Sequence, residues 1–334
     1  MDSNEFYAPV RSSLEPVETP TGTGGDEAVI EKPVPVRTPL PVWIDLHEPD
    51  ADEIQSVQDR FGIVLPTREE MQEIELSSRL YEEDGALFMT VSVLNRASSS
   101  EPETTAVTFV LVRKTLITVR YADPVPFKIF LRKVERHAAL ASSSEVVLLG
   151  LLEQIVDRLA DIMELSVADL EAISNRLFAR DADARDRGHH EILRQIGRAG
   201  NLGSKAKDSL LNLNRVALFL STQVRFKKDA KARLKTLSRD ILSITEHANF
   251  IANKVTFLLD ATLGLINIEQ SNIIKIFSVA AAAFLPPTLI ASIYGMNFEI
   301  MPELQWDYGY PAAIVLMILS AVLPLWYFRR KGWL

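Results

Sequence analysis

The chain has 334 residues, a formal charge of −8, 24% charged residues and no cysteine. That length holds one or two soluble units, and that polarity excludes a chain built mostly of membrane spans. Without cysteine there is no disulfide framework and no thiolate metal site, and the acidic balance argues against a nucleic-acid-binding body.

Residues 1–37 begin acidic and run through Pro, Thr and Gly, without the basic flank and apolar core of a cleavable signal peptide, and read as a disordered tail. Residues 38–145 read as a compact α/β domain. Val42–Leu46 is a short strand, Ala51–Phe61 has helical spacing, and Ala86–Leu94, Ala106–Val112 and Leu116–Arg120 are β-rich runs. Gly85, the serines Ser98 to Ser100 and Arg113-Lys114 supply their turns. No proline falls between Pro126 and Pro286, and the apolar register there is helical. Paired helices are expected within residues 146–227, from about Val146 to Ala179 and His190 to Phe226, with the likeliest breaks at Asp181–Gly188 and at Gly197, Gly200 and Gly203. The basic stretch Arg225, Lys227, Lys228, Lys231, Arg233, Lys235 and Arg239 fits a solvated helix face; contact with a partner subunit or acidic lipid heads is the alternative. It lacks the aromatic interleaving used for base stacking.

A stalk helix is expected over residues 228–275. Leu237, Ile241, Ile244, Ala248, Ile251, Val255, Leu258, Thr262 and Leu265 alternate steps of four and three, a coiled-coil seam. The pattern runs into a first apolar span, residues 276–294, so stalk and span read as one helix. A loop, residues 295–309, leads to a second span, residues 310–328, and a basic end, residues 329–334. No Asp, Glu, Lys or Arg occurs from Ile276 to Phe298 or from Tyr308 to Phe328. Each run is long enough to cross about 30 Å of hydrocarbon. Either alone also fits a buried core helix; two, separated by a short acidic loop, favour membrane spans.

Charge gives the orientation. Lys275 precedes the first span and Arg329, Arg330 and Lys331 follow the second, a basic ring at the inner face, whereas the loop carries Glu299, Glu303 and Asp307. The positive-inside rule then places both ends in the cytoplasm and the loop outside. Tyr294, Trp306, Tyr308 and Tyr310 cluster at the outer interface; Trp326, Tyr327 and Trp333 cluster at the inner one. The loop carboxylates fit either cation concentration or ordinary solvation.

A second stripe on the long helix mixes small, polar and apolar residues: Asp260, Gly264, Asn267, Ser271, Ile274, Ser278, Ala281, Leu285, Thr288 and Ser292. It suits a narrow lumen and equally a tight helix interface. A lumen lined by one span demands a cyclic homo-oligomer. At its outer end Gly295-Met296-Asn297 sets a neutral amide at the mouth, an oxygen donor that meets a hydrated cation without stripping its water.

The segment Tyr294-Gly295-Met296-Asn297-Phe298-Glu299, then Met301-Pro302-Glu303-Leu304 and Gly309-Tyr310-Pro311, resembles the CorA family of magnesium and cobalt transporters. Phe328-Arg329-Arg330-Lys331-Gly332-Trp333-Leu334 is similar to that family's basic, tryptophan-containing end. Asn267-Ile268-Glu269-Gln270, Ile273-Ile274-Lys275-Ile276-Phe277-Ser278 and Leu285-Pro286-Pro287-Thr288 resemble its proteobacterial branch. The strong matches cover about residues 255–334.

That resemblance implies a funnel-shaped homopentamer in a bacterial inner membrane: an α+β cytosolic αβα domain, coiled-coil stalk helices and a pore of five first spans. It implies an Asn297 selectivity ring shaped by Gly295 and Met296, a hydroxyl ring at Thr288, constrictions at Leu285, Phe277 and Ile274, and an inner acidic position at Asp260. Ser271, with Asn272 beside it, departs from the asparagine many members carry at the inner constriction. The resemblance also implies regulation by cytosolic magnesium held between neighbouring domains. Glu101, Glu103, Asp240 and Glu246 are the candidate acids, with the family's stalk aspartate falling near Thr236, within a turn of Asp240.

Magnesium is thus the expected cargo and regulator. Cobalt and nickel present hexahydrates of similar size, so a ring reading hydration shells discriminates weakly among them. Self-association and lipid are the expected partners, with no nucleic acid and no small-molecule substrate beyond the ions. No catalytic site is expected: His189-His190-Glu191 lacks the HExxH spacing of a metalloenzyme. A zinc-proton transporter of the same superfamily is the rival, disfavoured by Met296. A coiled-coil anchor without transport leaves the polar stripe unexplained.

Overall fold

The structure, a computed structural model, describes residues 7–8, 40–73, 75–97, 99, 102–179, 188–297 and 301–333. It divides into two compact units, Met1–Leu258 and Leu259–Leu334.

The first unit is built on a six-stranded sheet of order β1-β2-β6-β5-β4-β3. Its strands are β1 (Tyr7–Ala8), β2 (Trp43–His47), β3 (Leu80–Glu83), β4 (Ala86–Asn95), β5 (Glu103–Val112) and β6 (Thr115–Arg120). β1 and β2 pair in parallel, as do β2 and β6; the remaining neighbours are antiparallel. Tyr7–Ala8 corrects the reading of residues 1–37 as wholly disordered, since it adds an edge strand to β2. The rest of that tail lies outside the described residues.

Side chains alternate across the sheet because successive Cβ atoms point to opposite faces. Ile44, Leu46, Phe88, Val110, Ile117 and Val119 face helix α1 (Ala51–Phe61), which buries Val57 and Phe61 among them. The bounds of α1 follow from its ends. Asp50 accepts from Glu53 N at 2.8 Å while Glu53 accepts from Asp50 N at 3.1 Å, and Gly62 closes the helix in the left-handed region.

A one-turn helix α2 (Leu76–Arg79) leads into β3. The opposite face is covered by α3 (Val125–Arg136), α4 (Ser144–Leu177) and α5 (His189–Gln223), completing an αβα sandwich. Helix α5 runs unbroken through Gly197, Gly200 and Gly203, correcting the expectation of breaks there. Trp43 meets Phe130 of α3 edge-on and Phe109 stacks on Phe127. Gly150 of α4 makes room for this layer, because a Cβ there would overlap the Phe130 ring. Ser209 of α5 donates to the Ser92 carbonyl of β4. One polar network lies in this apolar layer. Arg120 is held by Asp45 through Nη2 to Oδ2 at 2.8 Å and Nε to Oδ1 at 3.1 Å, with Thr118 donating to Asp45 and Trp43 Nε1 donating to Thr118.

Helix α6 (Lys228–Tyr294) runs unbroken through the division between the units. Its seam is covered: Leu237, Ile241, Ala248, Ile251, Leu258 and Thr262 are buried, and Ile244, Val255 and Leu265 half-buried. Within the first unit α6 packs against α5 where glycines admit branched side chains, Gly203 at Ile251 and Gly200 at Val255. It meets the C-terminal cap of α4 through Phe257, which lies against the cap residue Phe178, and α4 itself through Arg233, which pairs with Glu153 at 2.7 Å. That pairing corrects the reading of the basic stretch as a wholly solvated face. Arg233 is half-buried, and the Glu153 hydrogen bond and charge hold its guanidinium above the ordinary range against the opposing effect of burial.

The second unit contains the remainder of α6 and helix α7 (Gly309–Arg330). Pro286 and Pro287 sit inside α6. Having no N–H, they leave the Ala282 and Ala283 carbonyls without their usual intrahelical donors.

Candidate functional site

The site is a face of α6 and the turn that ends it. Asp260, Asn267, Ser271, Ile274, Phe277, Ser278, Ala281, Leu285, Thr288 and Ser292 are all exposed in the single chain. By contrast Val279 and Ala283, on another side of the same helix, are buried. The chain therefore covers one side of this segment and leaves the mixed polar and apolar stripe open.

Two hydroxyls on that stripe are oriented by the helix itself. Ser278 Oγ donates to the Ile274 carbonyl and Thr288 Oγ1 to the Phe284 carbonyl, each at 2.7 Å. With their single protons committed to the backbone, both oxygens are left to accept. An accepting oxygen suits a metal ion's coordinated water, whose hydrogens point outward.

Gly295 ends the helix by donating to the Ala291 carbonyl at 3.0 Å, and Met296 N donates to the Ile293 carbonyl at 3.3 Å. A Cβ on Gly295 would stand 3.1 Å from the Ala291 carbonyl oxygen, closer than side chains ordinarily approach. Asn297 follows, exposed and outside the helix. Its amide offers a neutral oxygen at the end of the exposed stripe.

The charged candidates are less concentrated. Asp307 is exposed beside the packed rings of Trp306 and Tyr308; Glu299 lies outside the described residues, as does the Glu303 side chain. Lys275, Arg329, Arg330 and Lys331 are exposed, with Arg330 over the Trp326 ring and Lys331 over the Tyr327 ring.

Of the regulatory candidates, Glu101 is outside the described residues and Glu103 pairs with Arg96 at 3.7 Å. Asp240 and Glu246 are exposed on α6. Among the described residues no three carboxylate or histidine groups converge to hold a metal within one chain. Asp240 has a neighbour that sequence reading missed. The Asp157 carboxyl of α4 is pushed up, foremost by partial desolvation, against the pull of Lys133 and with help from Glu153, Asp161 and Asp240. The i, i+4 spacing of Glu153, Asp157 and Asp161 was the available signal.

Helices α6 and α7 are long and apolar enough to cross a membrane. Only 11% of the apolar stretch of α6 and none of that of α7 is buried, unlike the core helix of a soluble chain. An αβα domain joined through one long helix to a two-helix membrane unit defines a membrane transporter of the two-span type. The chain matches the family described as CorA-like Mg2+ transporter protein over residues 41–330 and belongs to it.

Its relatives include the magnesium transport proteins CorA of Pectobacterium atrosepticum and of Escherichia coli K12. Each is 37% identical over 294 residues, covering 88% of this chain and 92% of the relative. Among solved structures, the complete CorA magnesium transporter from Methanocaldococcus jannaschii superposes with a TM-score of 0.72 at 21% identity, over 87% of this chain and 91% of that one. Full-length CmaX superposes at 0.65 with 17% identity, over 91% and 93%. These two likenesses concern the fold.

Proposed function

We propose that this protein is a homopentameric channel admitting hydrated magnesium through a bacterial inner membrane, with both termini cytoplasmic. The observation that carries the reading is the exposed stripe from Asp260 to Ser292, with its hydroxyl oxygens turned to accept and Asn297 at its end. Five such faces around an axis would make a lumen. Leu242, Phe250 and Phe257, 56%, 50% and 57% exposed, offer α6 apolar surface to a neighbouring copy, Phe257 keeping that exposure with Phe178 against it. The curated relatives named for magnesium transport support the choice of ion.

Selection follows from the donor set. Magnesium dehydrates reluctantly, so amide and hydroxyl oxygens accepting from its water shell bind it without the cost of stripping that shell, and release it readily. Asn297 forms the outer ring, shaped by Gly295 and Met296; Thr288 contributes hydroxyls; Leu285, Phe277 and Ile274 constrict the path. Cobalt and nickel hexahydrates pass the same test of size and compete. Cytosolic magnesium between neighbouring domains, near Glu101, Glu103, Asp240 and Glu246, holds the closed state.

Reconstituted vesicles test the proposal. Magnesium influx through the wild type should be abolished in Asn297→Ala and blocked by hexammine cobalt, an inert mimic of a hydrated cation. Vesicles carrying wild-type protein that stay impermeable to magnesium under an inward-driving potential overturn it.

A further inference from the structure

The first unit holds a cavity of about 530 Å³ remote in sequence from the conduction residues. It opens beside the ends of β4 and β5, and its lining is chiefly polar, with Gln72, Ser92, Asn95 and Thr104 around the Tyr121 ring. Around them stand Arg68, Arg79 and Arg96, with Glu103 as the sole carboxylate among the described lining residues. The cavity therefore carries an excess of positive charge in a protein whose net charge is −8.

The three guanidiniums differ in how they are held. Arg79 is oriented by neutral acceptors: Nε donates to the Glu73 carbonyl, while Nη1 donates to Ser92 Oγ and Asn212 Oδ1, each at 3.1 Å. These contacts leave its charge unneutralised and its Nη2 free to donate. Arg68 lies over the Tyr121 ring, 5.3 Å from its centroid, with no carboxylate within 4.0 Å among the described residues. Arg96 has Glu103 at 3.7 Å, a loose and exposed pairing that leaves it available.

We propose that this cavity binds a phosphate-bearing small molecule of nucleotide size. Guanidinium forks match phosphate oxygens in pairs, and charge-assisted bonds of that kind are the strongest polar contacts available. The volume lies within the range of small-molecule sites and exceeds what a bare phosphate fills. Tyr121 and the amide and hydroxyl groups of Asn95 and Thr104 suit a sugar attached to the phosphate. The assignment uses neither the pore nor the oligomer, so it stands or falls apart from the channel reading.

Calorimetric titration of the full-length protein in detergent, in metal-free buffer, tests it with ATP, inorganic phosphate and adenosine as probes. ATP should bind and adenosine should not. The double variant Arg68→Ala/Arg96→Ala, altering two exposed side chains, should weaken ATP binding by about tenfold or more, while the lysine pair retains part of it. Arg79→Lys, which spares a charge near Ser92 and Asn212, gives a second check and should weaken binding less. Phosphate binding without added gain from ATP would assign the same site to free phosphate. Absence of binding by both ATP and phosphate, or an affinity unchanged in the double alanine variant, overturns the proposal.

Discussion

Asp45→Leu tests whether the buried network holds the sheet to α3. Asp45 and Arg120 side chains are 2% and 5% exposed, so removing the carboxylate strands a guanidinium in a nearly dry layer. Burial alone would lower the Arg120 guanidinium, yet hydrogen bonds and charges from Asp45 and Asp123 outweigh it and raise it above its ordinary value. Breaking a buried pair from one side costs about 3–5 kcal/mol. Asp123 remains 3.0 Å from Arg120, which favours the lower end, about 3 kcal/mol. For a domain of this size that corresponds to a melting shift of about 6–12 °C. Trp43 reports it directly, being 1% exposed and linked through Thr118 to Asp45. Replacing Trp306, Trp326 and Trp333 by Phe isolates its fluorescence during thermal unfolding of the full chain. The double variant Asp45→Leu/Arg120→Met should recover much of the loss, because an apolar pair has no charge to strand. A shift below about 2 °C in the single variant would refute the reasoning.

Gly150→Ala should destabilise the same layer by about 1–3 kcal/mol by driving Phe130 from Trp43, read as lower melting and altered Trp43 emission. Asp157→Asn has a pH-dependent sign: a carboxyl raised in the folded protein favours folding below its unfolded value and loses that contribution as pH rises through the folded one. The variant should therefore melt higher than wild type at neutral pH and lose that advantage below about pH 4, which melting curves across pH would check. Glu101→Ala with Asp240→Ala should leave protease protection of the α6 stalk insensitive to magnesium; protection that still rises with magnesium would remove these acids from regulation. Asn297→Ala should abolish flux while leaving melting unchanged, since the side chain is exposed at the end of α6.

Local chemistry decided which elements could be read from the chain. Helix α1 runs over Ala51–Phe61 as its spacing predicts, because Asp50 and Gly62 close its two ends with their own backbone and side-chain bonds. β4, β5 and β6 likewise carry their turns with them. β3 was missed although its signal was present: Asp84 and Gly85, at φ 50° and 73°, form the two-residue turn that an Asp-Gly pair favours, folding mixed Leu80–Glu83 back on β4. α3 falls where the apolar register after Pro126 read as helical, though it was given no bounds of its own. In the first turn of a helix the absent N–H of Pro126 satisfies nothing anyway, so this proline starts α3. β1 had no local signal, since the open edge of β2 recruits it across an intervening 34 residues, Pro9 to Val42.

The proposed conduction face stands out in the sequence for a different reason. A soluble core would not tolerate Asp260, Asn267, Ser271 and Thr288 in line with Ile274 and Leu285 unless each polar group found a partner. Lipid would not tolerate the polar members either. The structure leaves all six exposed and binds the Thr288 proton back to Phe284, so the single chain gives the stripe no internal use. What sequence spacing cannot contain is the second wall of a lumen, because that wall is the same stripe on another copy. The exposed apolar residues Leu242, Phe250 and Phe257 on α6 are where such a copy would pay back the cost of ordering. Charging that surface, rather than the stripe itself, should therefore separate assembly from selection: Phe250→Glu is expected to lose the oligomer, and flux with it, whereas Asn297→Ala loses flux alone.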